Sequence, residues 1–249
     1  MKEPSKVVVF VSDIHAPFYD ERAIDLTCKI LADVVPDIIF FGGDIVDCYA
    51  VSSYSRDPKR ILCFQEEFDL AEEVIKLFTD FSRHGGIFLP GNHEARLAKT
   101  LNMHPEFVSL RSLSLNELLH LNKYHVEMIK HGEDYKIGDL YYMHGDEVQG
   151  GMVYPARNVY LKENGNLIFG HYHRAQVFYN RLKDGTVHGA WANPCLCELK
   201  QCYIKGTSQW QQGFTVVHYY GDLFRVDQIV FFAHDKKLYG CYNGKMYSV

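Results

Sequence analysis

No stretch of this 249-residue chain stays apolar long enough to span a bilayer; Val7 to Val11, its first apolar run, is closed by Ser12 and Asp13. The opening residues also lack the charged, apolar and small-residue succession of a secretory signal, so the expected address is the cytoplasm. Excess positive charge is missing as well. A net charge of −5 argues against broad coating of a nucleic-acid duplex by phosphate neutralisation, while leaving room for a local groove that takes a strand end. The seven cysteines are odd in number and scattered, which suits reduced, buried thiols better than a disulfide framework. Repeats, low-complexity tracts and linkers are absent, and a single domain over residues 1–249 is expected. What the chain has in plenty is histidine, thirteen in all.

The apolar pattern predicts where secondary structure falls. Val7 to Val11 and Asp37 to Phe41 are short continuous runs rich in β-branched and aromatic residues, the mark of strands buried on both faces. Glu21 to Ala32 and Glu66 to Phe81 carry apolar positions at helical spacing; Gly85-Gly86 ends the second, and Ile87 to Leu89 forms a third strand. This strand and helix alternation opens an α/β domain with parallel pairing. Residues 95–121 read as short helices, with a capped start at Ser114-Leu115-Asn116-Glu117. From Tyr124 onward strands are predicted at 124–129, 140–143, 167–169, 177–182, 186–191, 215–220 and 223–232, with a last hairpin at Asn243-Gly244. Residues 195–249 read as a β-rich extension of the same domain.

Chemistry gathers just past the strand ends. Asp13-Ile14-His15 follows the first strand, Gly42-Gly43-Asp44-Ile45-Val46-Asp47 the second and Gly91-Asn92-His93-Glu94 the third. His144-Gly145-Asp146 and Gly170-His171-Tyr172-His173 follow two later strands. Ligand sites of α/β folds lie at the carboxyl ends of strands, so five such loops can converge. Carboxylates, imidazoles and an amide carbonyl are what hard and borderline divalent cations take as ligands. Asp13 with His15, and His171 with His173, stand two apart, a spacing that aims both side chains the same way in extended chain.

Taken together these five motifs, which span residues 13–173, resemble those of the calcineurin-like metallophosphoesterase superfamily, in its small bacterial or phage-type members. The resemblance implies a four-layered α/β/β/α sandwich of two mixed sheets, with the helical insertion 95–121 over the metal site. It implies one ion held by Asp13, His15, Asp44 and His173, and a second held by Asp44, Asn92, His144 and His171, with Asp44 bridging. His93 would face the substrate as a catalytic group, oriented by Asp47. The cofactor would be two divalent ions, Mn2+ foremost, with Fe, Zn, Ni or Co as alternatives. The expected reaction is in-line attack of metal-bound hydroxide on a phosphoester.

The substrate is less sharply written. Protein phosphatases of the superfamily carry Arg-Gly after the second aspartate of the second motif; here Cys48-Tyr49 stand there, and Arg96 and Arg56 are candidate substrate-binding replacements. The expected partner is thus a phosphodiester, a nucleotide or a nucleic-acid end, hydrolysed by a phosphodiesterase or nuclease. A phosphomonoesterase (nucleotidase or protein phosphatase) and an inactive metal-binding interaction module are the alternatives. Outside the motifs, Cys195, Cys197 and Cys202 admit either buried thiols or a zinc site without an obvious fourth ligand. Trp210 suits either the cleft or a strand edge, and Asp146 either a hydrogen bond to His144 or solvent.

Overall fold

The computed structural model describes residues 3–54, 57–58, 63–146, 153–200 and 208–249. Two mixed sheets form its middle. The first has the order β11-β10-β1-β2-β3-β4 and the second β5-β6-β7-β9-β8. In the first sheet, β1 (Lys6–Val11), β2 (Ile38–Phe41), β3 (Gly86–Phe88) and β4 (Val126–Met128) are parallel, and β10 (Gly213–Tyr220) joins β1 antiparallel before turning into β11 (Leu223–Val230). In the second, β6 (Leu140–Met143), β7 (Leu167–Phe169) and β9 (Val187–Ala192) are parallel, with β5 (Tyr135–Ile137) and β8 (Gln176–Arg181) antiparallel at the edges. A small sheet of β12 (Phe232–His234), β13 (Lys237–Tyr242) and β14 (Lys245–Ser248) completes the strands among the described residues.

Strand alternation sorts the core into three interfaces. Val8, Phe10, Phe40 and Val217 from the first sheet meet Leu140, Tyr142, Ile168 and Trp191 from the second. Buried between them, the hydroxyls of Tyr142 and Tyr219 hydrogen-bond at 2.8 Å. Val9, Val11, Ile39 and Phe41 point the other way, against Ile24, Leu31, Phe68 and Ile75 of α1 (Glu21–Val34) and α2 (Phe64–Thr79). On the outer face of the second sheet, Phe169, Ala190 and Ala192 pack on Ala156, Val159 and Tyr160 of α5 (Pro155–Glu163). Helices, sheet, sheet, helix: the layers are the expected α/β/β/α sandwich.

Helix α5 and strand β5 are among the elements not expected from the sequence. Helix α5 has only Pro155, Ala156, Val159 and Tyr160 on its buried side, a stripe too short to register as a helical period. Strand β5 is three residues long and owes its place to pairing with β6. Elsewhere the insertion holds α3 (Ala95–Met103) and α4 (Leu115–Leu118), separated by 3-10 turns, and Ser114 caps α4 by accepting the Glu117 N–H. No helix among the described residues is long and apolar enough to cross a membrane.

Candidate metal centre

Five loops meet where β1, β2, β3, β6 and β7 end. Backbone bonds lace the first two: Asp13 N–H donates to Gly43 (3.0 Å), His15 N–H to Asp44 (2.9 Å) and Asp47 N–H back to Ala16 (3.0 Å). The Glu94 carboxylate ties in the third, accepting N–H groups from Asp44 (2.9 Å), Ile45 (2.7 Å), Val46 (2.9 Å) and Gly91 (2.8 Å) while fully buried. Asp13 reaches across to the second sheet, where its carboxylate accepts the His171 N–H at 2.9 Å. Asp44 Oδ1 accepts the His93 N–H at 2.8 Å. Asp44 thus fixes a loop through Oδ1 and turns Oδ2 toward the histidines of the centre.

The side chains converge tightly. His173 Nε2 lies 3.2 Å from Asp13 Oδ1 and 3.1 Å from His15 Nε2, and His15 Nε2 lies 3.9 Å from Asp44 Oδ2. On the other side of Asp44, His144 Nε2 is 3.3 Å from Oδ2 and 3.2 Å from Asn92 Oδ1, and the His144 and His171 rings are 5.3 Å apart. Among the described residues, three clusters have ligating atoms within 4.8 Å of one another: Asp44, His144 and His171; His15, Asp44 and His93; His15, His173 and Cys197. Asp44 stands in two of them.

The convergence is not produced by strand pleat, as the two-residue spacing suggested. β1 stops at Val11, and Asp13, His15, Asp44, His171 and His173 all take left-handed backbone angles, with φ between 54° and 68°. Such angles cost energy in non-glycine residues and concentrate at functional sites; Asp and His are among the side chains that tolerate them best. Close approach sets two glycines. A Cβ on Gly91 would sit 2.3 Å from Asp44 Oδ1, and one on Gly170 would sit 2.6 Å from Asp13 Oδ2.

The carboxylates and imidazoles of the centre shift one another's titration. Burial alone would raise the Asp44 carboxyl, yet His144 and His93 hold it well below the usual carboxylate range. Burial lowers the His173 imidazole, but the facing Asp13 carboxylate more than reverses this and lifts it to about 9. His144, buried beside Asp44, is likewise driven well above an ordinary imidazole. His15 and His171 go the other way, lowered by burial and by neighbouring imidazoles. The donor set of carboxylates, imidazoles and one amide oxygen fits divalent ions.

Around this cluster lie the remaining residues. His93 Nδ1 is 3.0 Å from the Asp47 carbonyl oxygen and 3.5 Å from its carboxylate, which sits closer to His15 Nδ1, at 3.1 Å. The Arg96 guanidinium donates to the Asp47 carbonyl (2.9 Å) and carboxylate (3.3 Å) and approaches His93 Nε2 at 3.0 Å. Asp146 does not orient His144, whose Nδ1 instead donates to the Gly42 carbonyl at 2.8 Å. Trp210 belongs to this end of the molecule, its ring centroid 4.1 Å from that of His173. Cys195 and Cys197 are buried, and Cys197 stands against His173. That contact had no signal in the sequence, because nothing in the spacing ties residue 197 to residue 173. Arg56 and Cys202 lie outside the described residues.

Residues 6–236 match the family described as calcineurin-like phosphoesterase. The chain belongs to that family. Among its relatives, the Gene 54 protein of Mycobacterium phage L5 is 26% identical over 232 residues, covering 86% of this chain and 89% of that protein. Among solved structures, Vps29 of Chaetomium thermophilum superposes with a TM-score of 0.53 at 10% identity, over 99% of this calcineurin-like phosphoesterase and 95% of that chain. A Vps29 single mutant from Entamoeba histolytica gives 0.45 at 14% identity, over 98% of each chain. At 10% identity the Chaetomium thermophilum structure shares the fold alone.

Proposed function

We propose that this calcineurin-like phosphoesterase is a dinuclear metal-dependent phosphodiesterase or nuclease, acting on nucleotides or nucleic-acid ends. The observation that supports the reading is the position of Asp44, whose Oδ2 lies 3.9 Å from His15 Nε2 on one side and 3.3 Å from His144 Nε2 on the other, so that it would be shared by two ions. Asp13, His15 and His173 would hold one ion with Asp44, and Asn92, His144 and His171 the other. Two divalent ions, with Mn2+ our first choice, would supply Lewis acidity toward phosphoryl oxygens and acidify water near neutral pH.

The chain's own groups then handle the departing oxygen. With its Nδ1 on the Asp47 carbonyl, the His93 ring presents Nε2 toward the centre, 3.8 Å from Asp44 Oδ2. Arg96 Nη2 shares that space with Nε2. An oxygen that reaches both groups accepts a hydrogen bond from Arg96 and takes a proton from Nε2 of the imidazolium form of His93, which the Asp44 and Asp47 carboxylates favour against the pull of burial, and this stabilises the charge as the ester bond breaks. Asp47 takes up much of the Arg96 charge, so the cationic clamp left for phosphate is modest. This favours a monoanionic diester over a dianionic monoester.

Hydrolysis of bis-p-nitrophenyl phosphate and p-nitrophenyl phosphate, with Mn2+, Fe2+, Zn2+, Ni2+ or Co2+ added, tests the reading. The diester should be the faster substrate, and Asp44→Asn should lose both turnover and paired metal. Preference for the monoester would place the protein among phosphomonoesterases. No turnover of either ester with any of these ions would leave it as an interaction module.

A further inference from the structure

His173 presents two ring nitrogens to different surroundings. Nε2 faces Asp13 and His15; Nδ1 lies 3.8 Å from the Cys197 sulfur, within hydrogen-bond range for so large an acceptor. Both residues are buried. Trp210 packs against the same imidazole, with ring centroids 4.1 Å apart.

Cys197 is held in place by its backbone. Its N–H donates to the Asp13 carbonyl at 3.2 Å, and its own carbonyl accepts the Gln212 side-chain amide at 3.0 Å. One segment thereby braces Asp13 through the main chain and His173 through the sulfur. The neighbouring Cys195 is anchored in turn, its S–H donating to the Gln211 carbonyl at 3.4 Å.

We propose that Cys197 is a positioning residue of the metal centre: its sulfur accepts the Nδ1–H of His173 and so turns the Nε2 lone pair toward the ion shared with Asp13 and His15. The inference rests on the dinuclear reading above. A metal-bound histidine commonly donates its second ring N–H to a carboxylate, a carbonyl or water, and that partner sets the tautomer and the ring angle. A thiol does the same without adding negative charge. In a centre that already contains Asp13 and Asp44, that keeps His173 a neutral ligand.

Three proteins decide it: wild type, Cys197→Ala and Cys197→Ser. Each is loaded with Mn2+ or Co2+, and ion stoichiometry and affinity are measured by metal analysis and calorimetry. Removing the sulfur should weaken one of the two ions about 10–100-fold and spare the other, with serine recovering part of the loss. Nitrogen-15 spectra of the histidines in the wild-type protein, loaded with diamagnetic Zn2+, need no variant. They should show His173 protonated at Nδ1 and bare at Nε2.

The inference fails if wild type binds two ions and Cys197→Ala binds them equally well. It also fails if His173 carries its proton on Nε2, or if the Co2+ protein shows a sulfur-to-cobalt charge-transfer band that Cys197→Ser abolishes, since Cys197 would then be a ligand. Wild-type protein that binds no ion pair would instead overturn the dinuclear reading, and the inference with it.

Discussion

Glu94 and Asp44 are joined by a bond that involves no metal: Glu94 Oε2 accepts the Asp44 backbone N–H at 2.9 Å. The same oxygen takes the Gly91 N–H, and Oε1 takes those of Ile45 and Val46. One buried carboxylate therefore clamps the loop that carries Asp44 to the loop that carries Asn92 and His93. Burial and the nearby Asp44 charge push its pKa up in spite of those four donors.

Glu94→Gln should destabilise the fold by about 2–4 kcal/mol, because an amide NH2 in place of one oxygen leaves two buried N–H groups without an acceptor. Urea unfolding checks this. The midpoint should fall with little change in the denaturant slope. An unchanged midpoint would show that the loops hold together without the clamp.

His93→Ala should leave ion stoichiometry close to that of wild type while lowering turnover by about 10²–10⁴-fold. Its imidazole meets the Asp47 carbonyl and Arg96, and the loop itself is held by backbone bonds that the substitution keeps. Metal analysis alongside steady-state kinetics separates this outcome from loss of the ions.

Ion uptake should be strongly pH-dependent. His173, lifted to about 9 by Asp13 against the pull of burial, and His144, driven up by Asp44, are protonated at neutral pH and must lose those protons to ligate. Binding should release protons, and apparent affinity should rise from about pH 6 toward pH 9. Calorimetry in buffers of different ionisation enthalpy counts the protons; an uptake indifferent to pH would contradict the charge balance described for the centre.

Glu67 supplies a pH effect on stability away from the ions. It accepts the N–H groups of Tyr49 (2.7 Å) and Ala50 (2.9 Å), yet burial outweighs them and pushes its carboxyl up to about 7. The folded protein thus holds this proton more tightly than the unfolded chain does. The associated stability is complete below the ordinary carboxyl value of about 4.3 and is lost as pH rises through the raised one. The Tm of wild type relative to Glu67→Gln should therefore decline across that window, as measured by thermal unfolding at a series of pH values.

How much of this was legible beforehand differs by feature. β1, β2 and β3 announce themselves as apolar runs because they are buried on both faces, against helices on one side and the second sheet on the other. Helix α5 and strand β5 do not. Their few buried residues matter only through the sheet they cover or extend. At the centre, Asp13, Asp44, Asn92 and His93 stand out because each follows a buried strand, with a glycine directly before Asp44 and Asn92. The part played by Cys197 could not be seen, since its contact with His173 depends on where the segment after β9 crosses the mouth of both sheets.

Local composition by itself determined the layered α/β class and the residue types at five strand ends, because burial period and strand termination are properties of neighbouring residues. Only the tertiary structure decided which atoms face one another: left-handed angles at five positions, Glu94 reaching a loop some fifty residues away, and the Cys197 sulfur behind His173. Those relations come from folding two sheets together, which brings distant segments within a hydrogen bond of each other, and no sequence spacing encodes that distance.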